Sequence, residues 1–201
     1  ITAELLRAQG YTVHLGGNIG TPLFDRIADI RPDDFAVLEL SSFQLHSMHC
    51  APDVAIITNI SPNHLDVHPD FEDYVSAKCS IYRGQRPDGV LVLNARDAHT
   101  PRFAAEAPGS VRYFSSIGPV ENGVYCSDGV IYRAHGGKAE KLIDVSDVRI
   151  PGAHNVENYM AALLAVDGLV RDETVRRVAR EFAGVEHRIE FVREKDGVKF
   201  Y

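Results

Sequence analysis

The stretch from Phe35 to Leu40, Phe-Ala-Val-Leu-Glu-Leu, decides how the rest of the sequence is interpreted. It is an apolar run interrupted by one carboxylate, and two further short apolar runs follow at 53–59 and 89–94. Apolar runs of this length without polar alternation are typical of strands covered on both faces. Helix-like segments alternate with them, so the sequence predicts an α/β fold with a mostly parallel sheet flanked by helices.

The sequence changes character after about residue 110. Short β-rich stretches between 111 and 143 are separated by dipeptides that favour hairpin turns. These dipeptides are Asn122-Gly123, Asp128-Gly129 and Gly136-Gly137. We therefore predict a small antiparallel β extension at about 111–150, within one domain that spans 1–201.

Turn and capping residues mark the remaining elements. Gly10 closes a helix over 1–10, because glycine adopts the left-handed conformation that often ends helices. Further helices are predicted from Thr21 or Pro22 to about Ile30, from about Phe71, over 155–170 and over 172–182, and a last hairpin pairs 189–192 with 198–201.

Composition excludes several classes of protein. Hydrophobic residues make up 45% of the 201 residues, enough for a real core, and the formal net charge is −7. With no block of Lys and Arg, we expect neither a nucleic-acid partner nor a membrane-surface partner. No apolar run reaches 18 residues, so we expect no transmembrane helix. The three cysteines lie far apart, so we expect reduced thiols in a cytoplasmic protein.

The two ends of the sequence lack the usual signals of element boundaries. The first residues read as a helix without a start, and the last as a strand without a stop. We therefore expect a domain truncated at both ends. The alternative is that these are simply ordered termini.

Polar residues follow two of the predicted strands. Glu39 lies at the end of the first, and the loop 60–68 after the second contains His64 and His68. Ligands of open α/β sheets bind beyond the carboxyl ends of the strands, so this edge is a candidate site. The alternative is that Glu39 lies at an edge of the sheet with its side chain exposed to water, and that the histidines are ordinary surface residues.

Lys78 occupies an unexpected position in the helix that begins near Phe71. Apolar residues at 71, 74, 75 and 82 form a stripe, and Lys78 stands in the same stripe. One interpretation is a lysine that extends its ammonium to water at the rim of the core. The other is a desolvated amine with a lowered pKa that can react or be modified.

Two asparagines and a His-Arg pair complete the candidates. Asn155 opens a predicted helix, where it suits the N-cap, and Asn158 is one turn further on, so both can face one ligand. Arg188, after His187, can bind a phosphate with two parallel hydrogen bonds. A surface arginine is the simpler interpretation of Arg188 taken alone.

Six motifs, taken in order, resemble the Mur ligase family over essentially the whole chain. Any one of them alone is weak, but six in the right order are specific. They are 16–20 (Gly-Gly-Asn-Ile-Gly), 39–45 (Glu-Leu-Ser-Ser-Phe-Gln-Leu), 58–66 (Thr-Asn-Ile-Ser-Pro-Asn-His-Leu-Asp), 77–82 (Ala-Lys-Cys-Ser-Ile-Tyr), 152–158 (Gly-Ala-His-Asn-Val-Glu-Asn) and 187–188 (His-Arg).

The resemblance implies the central, P-loop NTPase-like domain of an enzyme with three domains. The first two motifs look most like the branch that adds D-glutamate to UDP-N-acetylmuramoyl-L-alanine through an acyl phosphate, in cytoplasmic peptidoglycan precursor synthesis. That role would link the enzyme to cell wall biogenesis, cell shape, cell division and the cell cycle. The family's phosphate loop is expected upstream of Ile1, and its outer domains would be the missing partners.

The resemblance also gives the candidates roles. Glu39, His64 and Lys78 correspond to catalytic residues that hold magnesium, with Lys78 carbamylated and manganese a plausible substitute because imidazole is an unusual magnesium ligand. Asn18, Ser41 and Gln44 correspond to residues that contact the UDP-muramoyl substrate. The nucleotide-binding set is Asn155, Asn158, His187 and Arg188. Asn63 departs from the family's common Asp and is left without a role.

Two other functions remain open at this stage. The chain can belong to another Mur ligase or to a folylpolyglutamate ligase, or it can be a catalytically inactive domain that only binds nucleotide. In every case we expect the 201-residue chain by itself to be inactive as a ligase.

Overall fold

A computed structural model describes residues 1–19, 22–62, 67–184, 193–195 and 197–200. Six α-helices and ten strands are defined in these ranges, together with 3-10 helices at Phe24–Asp29 and Val145–Asp147. The helices are α1 (Thr2–Gln9), α2 (Ser42–Ser47), α3 (Phe71–Arg83), α4 (Thr100–Glu106), α5 (Ala153–Ala165) and α6 (Asp172–Glu181). The strands are β1 (Val13–Gly17), β2 (Phe35–Glu39), β3 (Val54–Ile57), β4 (Val90–Asn94), β5 (Ser110–Ser115), β6 (Gly123–Ser127), β7 (Val130–His135), β8 (Lys138–Asp144), β9 (Arg193–Lys195) and β10 (Val198–Phe200).

The described strands form three sheets. β1 pairs with β2 in parallel, and β9 pairs with β10 in an antiparallel hairpin. The six-stranded sheet has the order β3-β4-β5-β6-β7-β8. Its pairing is parallel from β3 to β6 and antiparallel from β6 to β8. The predicted α/β fold with a mostly parallel sheet and an antiparallel extension is confirmed.

The prediction that hairpins begin at about 111 is wrong for β5. This strand pairs in parallel with β4, because the α4 crossover returns the chain to the same end of the sheet before β5 begins. Asn122-Gly123 therefore lies at the start of β6, where Gly123 pairs with Tyr113, and not in a hairpin turn. Gly123 has φ of +152°, and an added Cβ would overlap the carbonyl oxygen of Tyr113, so a side chain is excluded there. The antiparallel part is limited to β6–β8.

Helices on one face of the sheets enclose the larger core cluster. α1, α5 and α6 supply Leu5, Tyr159 and Val175, and the strands of both the two-stranded and the six-stranded sheets pack against the same cluster. α5 crosses the strands from β3 to β6. A single apolar core therefore joins the two sheets, although β2 and β3 do not pair.

The opposite face of the six-stranded sheet is covered by α3 and α4. Tyr82 and Phe103 pack there on Leu91 and Leu93, whereas Val92 points into the other cluster. The three β4 residues are fully buried. This two-sided burial explains why β4 reads as a continuous apolar run.

Several helix boundaries differ from the sequence expectation. Gly10 ends α1 with φ of +110°, as predicted. The segment expected to be helical from 21 is a 3-10 helix that begins at Phe24. α5 begins at Ala153 with Gly152 as its N-cap, so the prediction that Asn155 caps this helix is wrong.

A hairpin is observed near the predicted one, with β9 at 193–195 paired to β10 at 198–200, whereas the predicted first strand, 189–192, and residue 201 lie outside the described residues. None of the described helices is both long and apolar enough to span a membrane.

Candidate active site

The carboxyl ends of β1 and β2 meet at a close backbone approach. Gly17 is paired with Glu39, and the next amide, Asn18 N–H, donates to the Glu39 carbonyl at 2.6 Å. Gly17 has φ of +97°, and an added Cβ would overlap that same carbonyl oxygen. The glycine thus places Asn18 directly beside Glu39, which brings two predicted site residues together.

Lys78 reaches the same place from α3. Asp70 caps this helix by accepting the Asp73 N–H at 2.8 Å. The Lys78 amine donates to the carbonyl of Leu40 at 3.4 Å and lies 6.0 Å from the centre of the Tyr74 ring. The predicted inward orientation of Lys78 is therefore observed.

The electrostatic environment of Lys78 has two opposing components. Burial lowers the pKa of its ammonium, because removal of water disfavours the charged form, and the nearby Glu39 carboxylate partly opposes this by attraction. Glu39 itself is half-buried. The pair can hold a cation between them only if Lys78 loses its own positive charge.

Ser41 and Gln44 form a reciprocal cap at the start of α2. The Ser41 hydroxyl accepts the Gln44 N–H at 3.3 Å, and Gln44 Oε1 accepts from the Ser41 N–H at 2.9 Å. The Ser-x-x-Gln spacing at 41–44 is the sequence signal of such a capping box. The cap fixes the turn that joins Glu39 to α2.

A buried histidine that the sequence interpretation did not select joins α2 to α3. His68 is 5% exposed. Its Nε2 lies 2.9 Å from Ser42 Oγ, and its Nδ1 lies 2.6 Å from Asp73 Oδ2. No signal in the sequence distinguished His68 from a surface histidine, because its partners are 26 residues before it and 5 residues after it.

The asparagine pair lies at a second location, in the first turns of α5. Asn155 Nδ2 donates to the Pro151 carbonyl at 2.7 Å, and Asn158 Nδ2 donates to Asn155 Oδ1 at 3.4 Å. The two side chains therefore share one helix face, as predicted. A cavity of about 440 Å³ adjoins the start of this helix, and Val145, Val148, Ile150 and Val156 are among the residues that line it.

Four residues singled out in the sequence cannot be placed. His64 and Asn63, together with His187 and Arg188, lie outside the described residues. Of the rest, Asn18, Glu39, Ser41, Gln44 and Lys78 gather around the β2–α2 turn. Asn155 and Asn158 belong to a separate group at the start of α5.

The described structure is an α/β domain whose candidate residues gather at the carboxyl ends of β1 and β2, and the comparisons with known proteins show its family. Residues 1–166 match the model of the Mur ligase middle domain. The chain belongs to the Mur ligase family.

Curated relatives that match the chain share one name. The chain is 51% identical over 198 residues to UDP-N-acetylmuramoylalanine--D-glutamate ligase of Acetivibrio thermocellus, which covers 98% of the chain and 42% of that relative. It is 48% identical over 201 residues to the protein of the same name from Clostridium beijerinckii, which covers 100% of the chain and 43% of that relative. The chain thus spans less than half the length of these relatives.

Solved structures support the fold. MurF from Acinetobacter baumannii superposes with a TM-score of 0.70 at 21% identity, over 97% of this chain and 46% of that one. MurF from Thermotoga maritima in complex with ADP gives a TM-score of 0.63 at 21% identity, over 98% of this chain and 49% of that one. At this level of identity the likeness concerns the fold alone.

Proposed function

We propose that this chain is the ATP-handling part of a ligase that joins D-glutamate to UDP-N-acetylmuramoyl-L-alanine. The observation that carries the proposal is the 51% identity, along 98% of the chain, to a relative bearing that name. The half-buried Lys78 amine, which interacts electrostatically with the Glu39 carboxylate, also supports it. We also propose that the protein acts in the cytoplasm, in peptidoglycan precursor synthesis, and hence in cell shape, division and the cell cycle.

The proposed reaction has two steps. The substrate carboxylate takes the γ-phosphoryl group of ATP, which gives an acyl phosphate and ADP. The amine of D-glutamate then attacks the acyl carbon, the carbon–oxygen bond to phosphate breaks, and the amine proton is lost. Positioning and charge stabilisation dominate such chemistry.

Lys78 contributes through modification in this proposal. Only a neutral amine adds to carbon dioxide, and burial of Lys78 favours the neutral form. The carbamate that results exchanges a positive charge for a negative one. The carbamate then lies near Glu39 and offers oxygen ligands to a metal ion, whereas the unmodified ammonium would repel that ion.

The oxygen donors fit a magnesium ion, because magnesium prefers carboxylate-type ligands. Glu39 and carbamylated Lys78 would hold it, with His64 as a further ligand; manganese can replace it. The ion would supply positive charge opposite the phosphate oxygens.

The β2–α2 turn is the proposed substrate-binding element. Asn18 is anchored to the Glu39 carbonyl, and the Ser41–Gln44 cap fixes the start of α2. We assign contacts with the UDP-muramoyl substrate to Asn18, Ser41 and Gln44. Their backbones are preorganised by the glycine and the cap, which lowers the entropy cost of binding.

The start of α5 is the proposed nucleotide-binding element. Asn155 and Asn158 present amides on one face, and a cavity of about 440 Å³ is lined by Gly152, Ala153 and Val156 of the same helix start. We assign adenine and ribose contacts to these two residues. His187 and Arg188 complete the set, with Arg188 directed to the phosphates.

The experiment that tests the function uses the complete product of the gene. Incubation with ATP, UDP-N-acetylmuramoyl-L-alanine and D-glutamate should release phosphate, and omission of D-glutamate should abolish the release. Phosphate release with folate and L-glutamate, or with a longer muramoyl peptide and its own amino acid, but not with D-glutamate, would overturn the assignment. The 201-residue chain by itself should release none, because it spans only 42% of the Acetivibrio relative.

A further inference from the structure

A cluster of three side chains between α2 and α3 is not used by the proposed reaction. His46 belongs to α2, His68 precedes α3, and Asp73 lies in the first turn of α3. His68 Nδ1 lies 2.6 Å from Asp73 Oδ2, and His46 Nε2 lies 3.3 Å from Asp73 Oδ1. One ligand atom from each residue lies within 4.8 Å of the other two.

We propose that His46, His68 and Asp73 form a binding site for one zinc-class divalent cation, with water as the fourth ligand. Two imidazoles and a carboxylate are a donor set that zinc accepts, usually in tetrahedral geometry. Metal–ligand bonds of about 2.0–2.1 Å place neighbouring ligand atoms about 3.3 Å apart in a tetrahedron. The distance from His46 Nε2 to Asp73 Oδ1 is 3.3 Å and already has this value, whereas His68 Nδ1 faces the other carboxylate oxygen, Oδ2.

The other ligand pair needs a small adjustment. His68 Nδ1 and Asp73 Oδ2 are closer than a tetrahedral edge, because they are within hydrogen-bond distance of each other. Metal binding replaces the proton between them, and the Asp73 carboxylate turns to present one oxygen to the ion at about 3.3 Å from each imidazole nitrogen. The Asp73 side chain is 30% exposed, so it has room to turn.

His68 is oriented as a metal ligand is. Histidine ligands usually give the N–H of their second ring nitrogen to a nearby oxygen, which fixes the ring. Here Nε2 faces Ser42 Oγ at 2.9 Å, which leaves Nδ1 for the ion. The Phe43 ring stacks on the imidazole with 5.5 Å between ring centroids, and the Tyr74 ring meets it edge-on, also with 5.5 Å between centroids.

Charge and access also suit a cation. The hydrogen bond from His68 holds the pKa of Asp73 below its ordinary value, so this ligand is a carboxylate at neutral pH. The N-cap carboxylate of Asp70 lies close by and offsets the positive end of the α3 dipole. His46 is 57% exposed in its side chain, which opens a path from solvent.

This site is separate from the proposed magnesium site. Two of its three protein donors are nitrogen, whereas those proposed around Glu39 are mainly oxygen, and nitrogen donors favour zinc over magnesium. A bound ion would connect α2 to α3 directly. It adds a metal-dependent link between the element that carries Ser41 and the element that carries Lys78.

The test compares two histidine variants in the complete gene product, free of nucleotide and freed of metal by a chelator. His46→Ala removes one ligand, and His49→Ala, an exposed histidine three residues away, is the matched control. Zinc affinity is measured by competition with a chromophoric chelator. His46→Ala should weaken one zinc site by about 100-fold, and His49→Ala should leave it unchanged.

Two further measurements report on geometry. Cobalt added in place of zinc should give the intense visible absorption of a tetrahedral site in the wild type and in His49→Ala, but not in His46→Ala or Asp73→Asn. Ser42→Ala keeps all three ligands and should weaken zinc binding by about 10-fold. Equal zinc affinity and equal cobalt spectra in wild type, His46→Ala and Asp73→Asn would overturn the proposal and leave a network of hydrogen bonds. This result would not affect the proposed ligase function, which is measured by phosphate release.

Discussion

The strands β2 and β4 have similar sequences and different surroundings. Leu91, Val92 and Leu93 of β4 are fully buried, whereas Leu38 of β2 is 45% exposed. In the described part of the chain, α3 and α4 cover the six-stranded sheet on the face where Ala36 and Leu38 of the small sheet are open. An apolar run therefore predicts a strand, but the burial of that strand depends on which helices reach it.

The same contrast separates the residues of the candidate site. Glu39, Asn18 and the α2 cap belong to the two-stranded region, whereas Lys78 is carried by a helix packed on the six-stranded sheet. The Lys78–Leu40 hydrogen bond joins the two regions. We therefore expect the proposed reaction to take place where the buried six-stranded region meets the more exposed two-stranded region.

The largest effect is expected from removal of the amine at this junction. Lys78→Ala in the complete gene product should lower the rate of phosphate release by about 10²- to 10³-fold, because a charged group that acts on the transition state is lost. A small carboxylate such as formate should restore part of the rate by standing in for the carbamate. An unchanged rate would make Lys78 an ordinary lysine at the rim of the core.

One glycine from each region tests whether the surrounding backbone leaves space for a Cβ. Gly17→Ala should lower the free energy of unfolding by about 3 kcal/mol, because strain at φ of +97° adds to overlap with the Glu39 carbonyl. Gly129→Ala is the matched control, since φ is +73° there and no atom lies within 4 Å of an added Cβ. It should cost about 1 kcal/mol. Equal losses in urea unfolding would show that the close approach of Gly17 to Glu39 is not tight.

The α5 group should affect nucleotide binding without affecting the muramoyl substrate. Asn158→Ala should raise the KM for ATP by about 5- to 10-fold, which corresponds to the loss of one hydrogen bond. The KM for UDP-N-acetylmuramoyl-L-alanine should stay constant. An equal rise in both constants would indicate general distortion of α5 and remove the separation between the two groups.

The smallest effect is on stability and has a defined pH dependence. Lys78→Met should raise the melting temperature at pH 7, because the desolvated ammonium disappears. The folded-state pKa of Lys78 is lowered, so between that value and 10.5 the unfolded chain binds more protons, and the wild type gains stability as pH rises. The advantage of Lys78→Met should therefore be largest below this window and shrink towards pH 10.5. A difference that grows with pH would contradict the desolvation of Lys78.

The sequence predicted the features that depend on local patterns. The alternation of strands and helices, the C-cap at Gly10, the inward position of Lys78 and the shared face of Asn155 and Asn158 all follow from spacing along one element. The N-cap of α5 was placed wrongly at Asn155, because Gly152 takes that role with a positive φ that composition does not reveal. β5 was misassigned for a similar reason, since turn dipeptides show a break in the chain but not which strand comes next.

Contacts between segments that are distant in the sequence could not be predicted from local patterns. His68 reads as a loop residue until the fold brings Ser42 and Asp73 to its two nitrogens. The placement of Glu39 beside Lys78 was reached through the family resemblance and not through spacing, because they lie on different elements. The functions assigned to these residues, and to His64, His187 and Arg188, stay predictions.

The division into two sheets has a consequence for partial unfolding. In the described part of the chain, β1 and β2 form their backbone ladder only with each other, so their amides should exchange with deuterium at a lower opening free energy than those of β4. An opening of this small unit would carry Glu39 and Asn18 away from Lys78 while the six-stranded sheet stays folded. The protein would then pass through a form with nearly intact secondary structure and no assembled site, and loss of activity on heating should precede loss of circular dichroism.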